Sequence, residues 1–282
     1  MKTAYGNYGM PHTPYPAMLR EVAAIGYDGL EICVTPGYPT APDRLDAAQR
    51  KDLRLRALDL DLEFDTLMLS GVSVHEPDAA KHRANLEQLR RIFALGAELG
   101  LDKPVLTSTL GGRTGDWERE RTALADCVAD WTAVSAQCGG VFAAEAHVGG
   151  LVHAPERMLW LLDAVNLPAL KLNFDYSHFE LLDIPLTHAI EQLVPHAAGV
   201  HVKDVRGRPP DFAFLLPGEG TLDYADYVRQ LNAAGYDGYI TVEISGQVFG
   251  APGYDPTAAA GFSFRTLSEA VSAAGPDCGL NP

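Results

Sequence analysis

One feature constrains this chain above all others: a short apolar run followed by an amphipathic run, repeated eight times. The apolar runs fall at 3–8, 28–34, 62–69, 103–108, 141–147, 169–175, 198–204 and 238–245. They show little polar alternation, as expected of parallel strands covered on both faces. Between them lie amphipathic stretches at 43–60, 78–100 and 116–139, and shorter ones at 14–25, 154–164, 184–194, 222–234 and 256–274. Asp43 is the expected N-cap of the second helix, and Gly100 the expected stop of the third. Strand and helix in strict alternation give a parallel sheet with helices outside. Eight such units predict an α/β fold of the (β/α)8 TIM-barrel type, a single domain over 1–282. The competitor is an open doubly wound sheet, which usually has fewer strands. Its G-x-G-x-x-G signature does not follow the first strand here. Two phrases, 25-IGYDGLEI-32 and 234-AGYDGYITVEI-244, echo each other as a helix end, a Tyr-Asp-Gly turn and a strand carrying Glu.

A barrel of this type places its chemistry at the C-terminal ends of the strands, so those ends are where the sequence is informative. The fifth strand ends in Glu145 and His147. The sixth ends in Asp175, with His178 in the loop after it. The seventh carries His201, Lys203 and Asp204, and the eighth carries Glu243. Residues two apart on a strand face the same way, so Glu145 with His147, and His201 with Lys203, can point together into the barrel. Four consecutive strands therefore deliver Glu, Asp, His and Glu to one rim. Three buried carboxylates side by side need a cation to neutralise them. Three oxygen ligands and one imidazole suit Mn²⁺, with Mg²⁺, Co²⁺ or Zn²⁺ as alternatives.

With 198-AGVHVKD-204 and 217-PGEGTLDY-224, this quartet resembles the xylose isomerase-like superfamily of sugar phosphate isomerases and epimerases. That group includes tagatose and psicose 3-epimerases, inosose isomerases and dehydratases, and hydroxypyruvate isomerase. The resemblance runs from 26-GYDGLE-31 to the last helix. It implies Glu145, Asp175, His201 and Glu243 as metal ligands, with the two glutamates also exchanging protons with substrate. His178 then matches the family's substrate-contacting histidine, and Arg206 or Arg208 the arginine expected after the ligand His. The chain departs from the ketose 3-epimerases after its first ligand: their Asn-Arg-Phe-Glu-like phrase is replaced by 146-AHVGGLVH-153.

The other candidates are read one by one. Lys203, inward beside His201, can stabilise an enolate. His147 shares a face with Glu145, and His75 follows the third strand on the same rim; both are expected to contact substrate. Glu31 is expected to brace the barrel more than to touch substrate. Lys171 and Asn173 lie deeper than Asp175 and read as barrel filling or salt-bridge partners. Trp117, Trp131 and Trp160 read as helix packing. The Gly-rich phrase at 217–224 is expected to shape the loop opening the seventh helix, with Asp223 near its start.

The expected activity is a metal-dependent sugar isomerase or epimerase acting on a keto-sugar or keto-cyclitol through an enediolate, with Glu145 and Glu243 as the proton-transferring pair. A lyase or dehydratase using the same enolate is the alternative. A third reading is a phosphodiester hydrolase of the abasic-site endonuclease branch. It would need further ligands, including a His at the fourth strand, where this chain has 105-VLTSTLGG-112. The net charge of −15 also argues against a nucleic-acid partner. Four cysteines (Cys33, Cys127, Cys138, Cys278) without C-x-x-C spacing read as reduced thiols of a cytoplasmic protein. The start, MKTAYGNYGMPHTPYP, has no apolar signal core, and no segment reaches the roughly 18 apolar residues of a membrane span. The expected partner is a small carbohydrate, with no membrane; a homo-oligomer is open.

Overall fold

The computed structural model describes residues 1–111 and 114–275. Gly112, Cys278 and the end of the 1–282 span lie outside the described residues. Eight parallel strands close into a barrel: β1 Lys2–Gly6, β2 Gly29–Cys33, β3 Glu63–Met68, β4 Val105–Thr109, β5 Val141–Glu145, β6 Leu170–Asp175, β7 Ala197–Val202 and β10 Tyr239–Val242. Two further strands, β8 Asp204–Arg208 and β9 Asp211–Leu215, form a separate antiparallel hairpin after β7. The helices are α1 Tyr15–Ile25, α2 Ala47–Asp59, α3 Ala79–Leu99, α4 Trp117–Gln137, α5 Pro155–Val165, α6 Ser177–Glu180, α7 Leu186–Leu193, α8 Tyr224–Ala233, α9 Gly246–Phe249 and α10 Pro256–Ala274. The predicted (β/α)8 barrel is the observed fold.

Local chemistry explains where the helices start and stop. Asp78, Asp116, Asp223 and Asp255 each accept hydrogen bonds from first-turn amides of α3, α4, α8 and α10. The expected cap at Asp43 is corrected: Asp46 caps α2. Its carboxylate accepts from Gln49 N, and the Gln49 side chain accepts from Asp46 N, each at 2.9 Å. This reciprocal box outcompetes a lone Asp three residues earlier. In the echoed Tyr-Asp-Gly phrases, Gly26 (φ 112°) and Gly235 (φ 79°) take the left-handed conformation that ends a helix without a Cβ clash.

One contiguous apolar core joins the strands to the surrounding helices, and a small second cluster of Leu181, Val205 and Phe214 lies at the hairpin. Trp131 on α4 is fully buried and packs on Phe142 of β5 with ring centroids 5.3 Å apart. Truncating it to Ala would cost about 3–5 kcal/mol. Trp117 and Trp160 pack edge to face, 5.1 Å apart, so all three tryptophans are packing residues as expected.

Strand register positions the rim. Glu145 on β5 pairs with Asn173 on β6, and Asp175 on β6 pairs with His201 on β7. Paired residues of neighbouring strands project to the same side. The expected seventh strand, 198–204, is shorter than read: β7 stops at Val202, and Asp204 opens the hairpin. Asp204 turns away from the barrel, and its carboxylate accepts from Val205, Gly218, Thr221 and Leu222 amides. This anchors the Gly-rich loop. Gly218 needs its positive φ of 97°, and a Cβ on Gly220 would lie 2.2 Å from Asp204 Oδ1.

Candidate metal centre

Glu145, Asp175, His201 and Glu243 converge at the C-terminal mouth of the barrel, each buried, with one ligand atom apiece within 4.8 Å of all the others. They come from four neighbouring strands, β5, β6, β7 and the end of β10, so the two glutamates stand at the two ends of an arc. Each group is oriented by a neighbour. Asn173 Nδ2 donates to Glu145 Oε2 at 2.6 Å. The Ser177 amide donates to Asp175 Oδ1 at 2.9 Å. Lys203 Nζ donates to Asp175 Oδ2 and, at 2.5 Å, to Glu243 Oε2.

His201 is held from across the barrel. Its Nε2 lies 2.9 Å from Glu31 Oε2, an oxygen that also accepts from Thr66 Oγ1 and Thr107 Oγ1. A carboxylate on Nε2 fixes the proton there and turns the Nδ1 lone pair toward the mouth. Nδ1 is buried without a hydrogen-bond partner, yet it lies 3.1 Å from Glu145 Oε2 and 3.3 Å from Glu243 Oε2. Nδ1 facing two carboxylate oxygens needs a positive partner between them, which a proton or a bound cation supplies. Charge points the same way: among the described residues, Glu31, Glu145, Asp175 and Glu243 share the mouth with a single ammonium, Lys203. The donor set therefore fits a divalent ion of the oxygen-and-imidazole type.

The protonation states reflect the same imbalance. Burial alone would raise Glu145 and Glu243. The Lys203 charge, helped by His201 and, at Glu145, by His178, holds Glu145 well below the usual carboxylate range and Glu243 at about 2. Burial disfavours charge on Lys203 and His201 as well, but the surrounding carboxylates outweigh it and raise both. His147 behaves differently: burial, with the neighbouring His178 and Lys203, pushes it down to about 3.

A chamber of about 140 Å³ lies over the cluster. His147, His178 and Lys203 line it, as expected of residues facing the rim. His178 Nδ1 accepts from the Val148 amide, so Nε2 carries the proton and faces Glu145 Oε1 at 3.3 Å. The His147 and His178 rings pack with centroids 4.3 Å apart. The structure does not bring His75 or Arg206 to the chamber. His75, in the loop after β3, is half-buried but is not among the residues lining the chamber. Arg206 lies on the solvent face of the hairpin and donates to the Glu219 carbonyl, while Arg208 pairs with Asp183 on the surface.

Several lining residues escaped sequence reading. Phe214 roofs the chamber from β9, edge-on to His178 at 5.2 Å and 5.2 Å from Lys203 Nζ. The Gln247 side chain accepts from the Phe214 amide and ties the hairpin to α9. The available signal was two short runs around Pro209-Pro210, a turn pattern. Tyr8, Thr109 and Ser245 also line the chamber. Glu31 does brace the barrel, as read, but it does so by gripping His201.

Comparison with known proteins agrees with this geometry. The pattern of the xylose isomerase-like TIM barrel family matches residues 19–268, and the chain belongs to that family. An inosose dehydratase of Clostridium perfringens is 23% identical over 267 residues, covering 85% of this chain and 86% of that one. The fold superposes on the zinc-bound IolI protein with a TM-score of 0.79 at 18% identity, over 96% of this chain and 98% of that one. D-psicose 3-epimerase with D-tagatose, from Clostridium cellulolyticum, gives a TM-score of 0.75 at 16% identity, over 95% and 99% of the two chains. Among the described residues, no helix is long and apolar enough to cross a membrane.

Proposed function

We propose that this family member is a divalent-metal-dependent isomerase or epimerase acting on a keto-sugar or keto-cyclitol through an enediolate. The carrying observation is the arc itself: two glutamates at its ends, with the orphaned His201 Nδ1 within 3.3 Å of both. Glu145, Asp175, His201 and Glu243 would hold the ion, with manganese the first expectation; the zinc of IolI supports a divalent charge. When bound, such an ion polarises a carbonyl and an adjacent hydroxyl and acidifies the C–H between them.

The remaining chemistry falls to the chain's own side chains. One of Glu145 and Glu243 removes the carbon-bound proton, and the other returns it from the far end of the arc or at the neighbouring carbon. Asn173 keeps Glu145 aimed, which lowers the cost of reaching a reactive geometry. Lys203 places a fixed positive charge where the enolate oxygen gains negative charge. The His178 Nε2–H orients a substrate hydroxyl beside Glu145. Phe214 and the hairpin cover the mouth and exclude water.

A second reading, loss of water or of another β-leaving group from the same enolate, is supported by the inosose dehydratase relative. It requires a proton donor for the departing oxygen, and the packed pair His147 and His178 stands in the chamber. Product analysis in D₂O over a panel of keto-sugars and keto-cyclitols decides between the two. An isomer carrying solvent deuterium is the expected result; loss of water or of an aglycone transfers the assignment to the lyase. No deuterium incorporation and no product from any member of the panel would overturn both. His178→Ala sharpens the choice, costing about tenfold for isomerisation and about 10²–10⁴-fold if His178 protonates a leaving group. His147, held at about 3, is uncharged near neutral pH and is the weaker donor.

A further inference from the structure

The chamber over the cluster is too small to be the whole binding site. At about 140 Å³ it falls below the roughly 300–1,000 Å³ usual for ligand pockets. Beside it opens a cleft of about 730 Å³, and Tyr8 and Ser70 border both. The short helix α9 joins them as well, with Gly246 on the chamber and Phe249 on the cleft. A ligand held at the metal centre therefore has one large, adjacent space into which a substituent can extend.

The wall of that cleft has a definite chemistry. Tyr8 stacks on Tyr38 with centroids 5.7 Å apart and meets Phe249 edge-on at 5.0 Å, and Met10 and Tyr254 extend the apolar surface. In a chain of net charge −15, no Asp, Glu, Lys or Arg among the described residues lines it, and His12 is the one imidazole on its wall. The polar groups on this wall are largely engaged within the protein. Tyr38 Oη donates to the Tyr8 carbonyl at 2.9 Å, and Tyr254 Oη donates to the Gly9 carbonyl at 2.8 Å. Tyr8 Oη accepts from Ser70 Oγ at 3.3 Å, and Thr35 Oγ1 accepts from the Ser70 amide at 2.8 Å. A phosphate would find no Arg or Lys here. A second sugar ring would leave most of its hydroxyls without partners, which is costly once water is excluded. A flat apolar ring meets stacked and edge-on aromatic faces, the arrangement such rings favour.

We propose that the cleft is a subsite for an aryl group, so that the substrate is a keto-sugar carrying an aromatic substituent and no phosphate. This rests on the metal-centre reading above, because the sugar is placed in the chamber by that reading. The subsite is tested with the manganese-loaded full-length protein and three ligands built on one keto-hexose: the methyl glycoside, the phenyl glycoside and a glucosyl disaccharide. Affinities are measured by calorimetry, with product mass followed in parallel. The phenyl compound should bind about 10–100-fold more tightly than the methyl compound, the worth of burying one aromatic ring. Phe249→Ala, which removes part of the wall, and Ala251→Trp, which fills the cleft from an exposed position, should each bring that ratio close to unity. A ratio near unity in the parent protein, or one that both variants leave intact, overturns the proposal. A disaccharide that binds as tightly as the phenyl compound overturns the aryl assignment in favour of a second sugar. The two readings fail separately: a phenyl preference without turnover of any ligand sinks the reaction and keeps the subsite. Turnover with no phenyl preference does the reverse.

Discussion

The lumen of the barrel carries acidic groups at two levels, and they behave in opposite ways. At the mouth, Glu145 and Glu243 are buried yet remain ionised, because Lys203 and His201 share their space. Deeper in the barrel, Asp65 on β3 accepts from Thr241 Oγ1 on β10 at 2.8 Å. These strands are not neighbours, so the bond crosses the lumen. Burial, with a contribution from Glu31, pushes the Asp65 carboxyl up to about 7, and the lowering effects of Thr241 and the more distant His201 do not offset it. Burial by itself neutralises a carboxyl group; ionisation survives only where positive charge is provided. The difference marks the mouth as the level built to hold negative charge, which is what a cation site requires.

Exchanging groups at the two levels breaks or sharpens this contrast. The largest effect is expected at the mouth. Glu243→Gln should keep part of the metal affinity and lose about 10²–10⁴-fold in turnover, because an amide coordinates weakly but accepts no proton. Turnover near the parent level in steady-state assays would reduce Glu243 to a ligand and move proton transfer elsewhere. Asp175→Asn removes a charge that the cation needs. Elemental analysis should find one divalent ion per chain in the parent protein and a large deficit in this variant. Equal metal content in the two proteins would refute Asp175 as a ligand.

A smaller effect separates orientation from ligation. Glu31→Gln should weaken metal affinity by about 10–100-fold, the usual worth of the group that holds a ligating histidine. Because Glu31 lies behind His201, metal titration should show the loss even where saturating metal restores turnover. A variant with unchanged affinity would show that Thr66 and Thr107, not His201, are the reason for Glu31. The smallest effect is expected at the deeper level, where Asp65→Asn should leave metal content and turnover nearly unchanged and alter only stability. The folded pKa of Asp65 is raised, so its contribution is fully present below the unfolded carboxyl pKa of about 3.9 and is lost as pH rises to about 7. Relative to the parent, the Asn variant should gain stability across that window in denaturant titrations. A parallel pair of pH–stability curves would mean that Asp65 is solvated.

Much of this protein was legible before any coordinates. Eight apolar runs specified the barrel, and a period of two at the strand ends placed Glu145, Asp175, His201, Lys203 and Glu243 at one rim. Those inferences are local: each needs only a strand, its direction and its last residues. Reading failed where the chain left the regular alternation. The run 198–204 reads as one strand, but β7 stops at Val202, and the amides of Val205, Gly218, Thr221 and Leu222 converge on Asp204 and start the hairpin there. Arg206 went with it onto the outer face of the hairpin.

What only the tertiary structure decided is the set of contacts across the lumen and between loops. Glu31 meets His201 over 170 residues of sequence, and nothing in the phrase 29-GLEIC-33 distinguishes a glutamate that grips a ligand from one that fills a barrel. Phe214 reaches the chamber because Gln247, 33 residues on, ties down its hairpin. The aromatic cleft joins residues from the first, second, third and last loops of the barrel. Periodicity reports which way a side chain points from its own strand. It carries no information on which distant group it meets once the sheet has closed, and both the orientation of His201 and the shape of the cleft are settled by that closure.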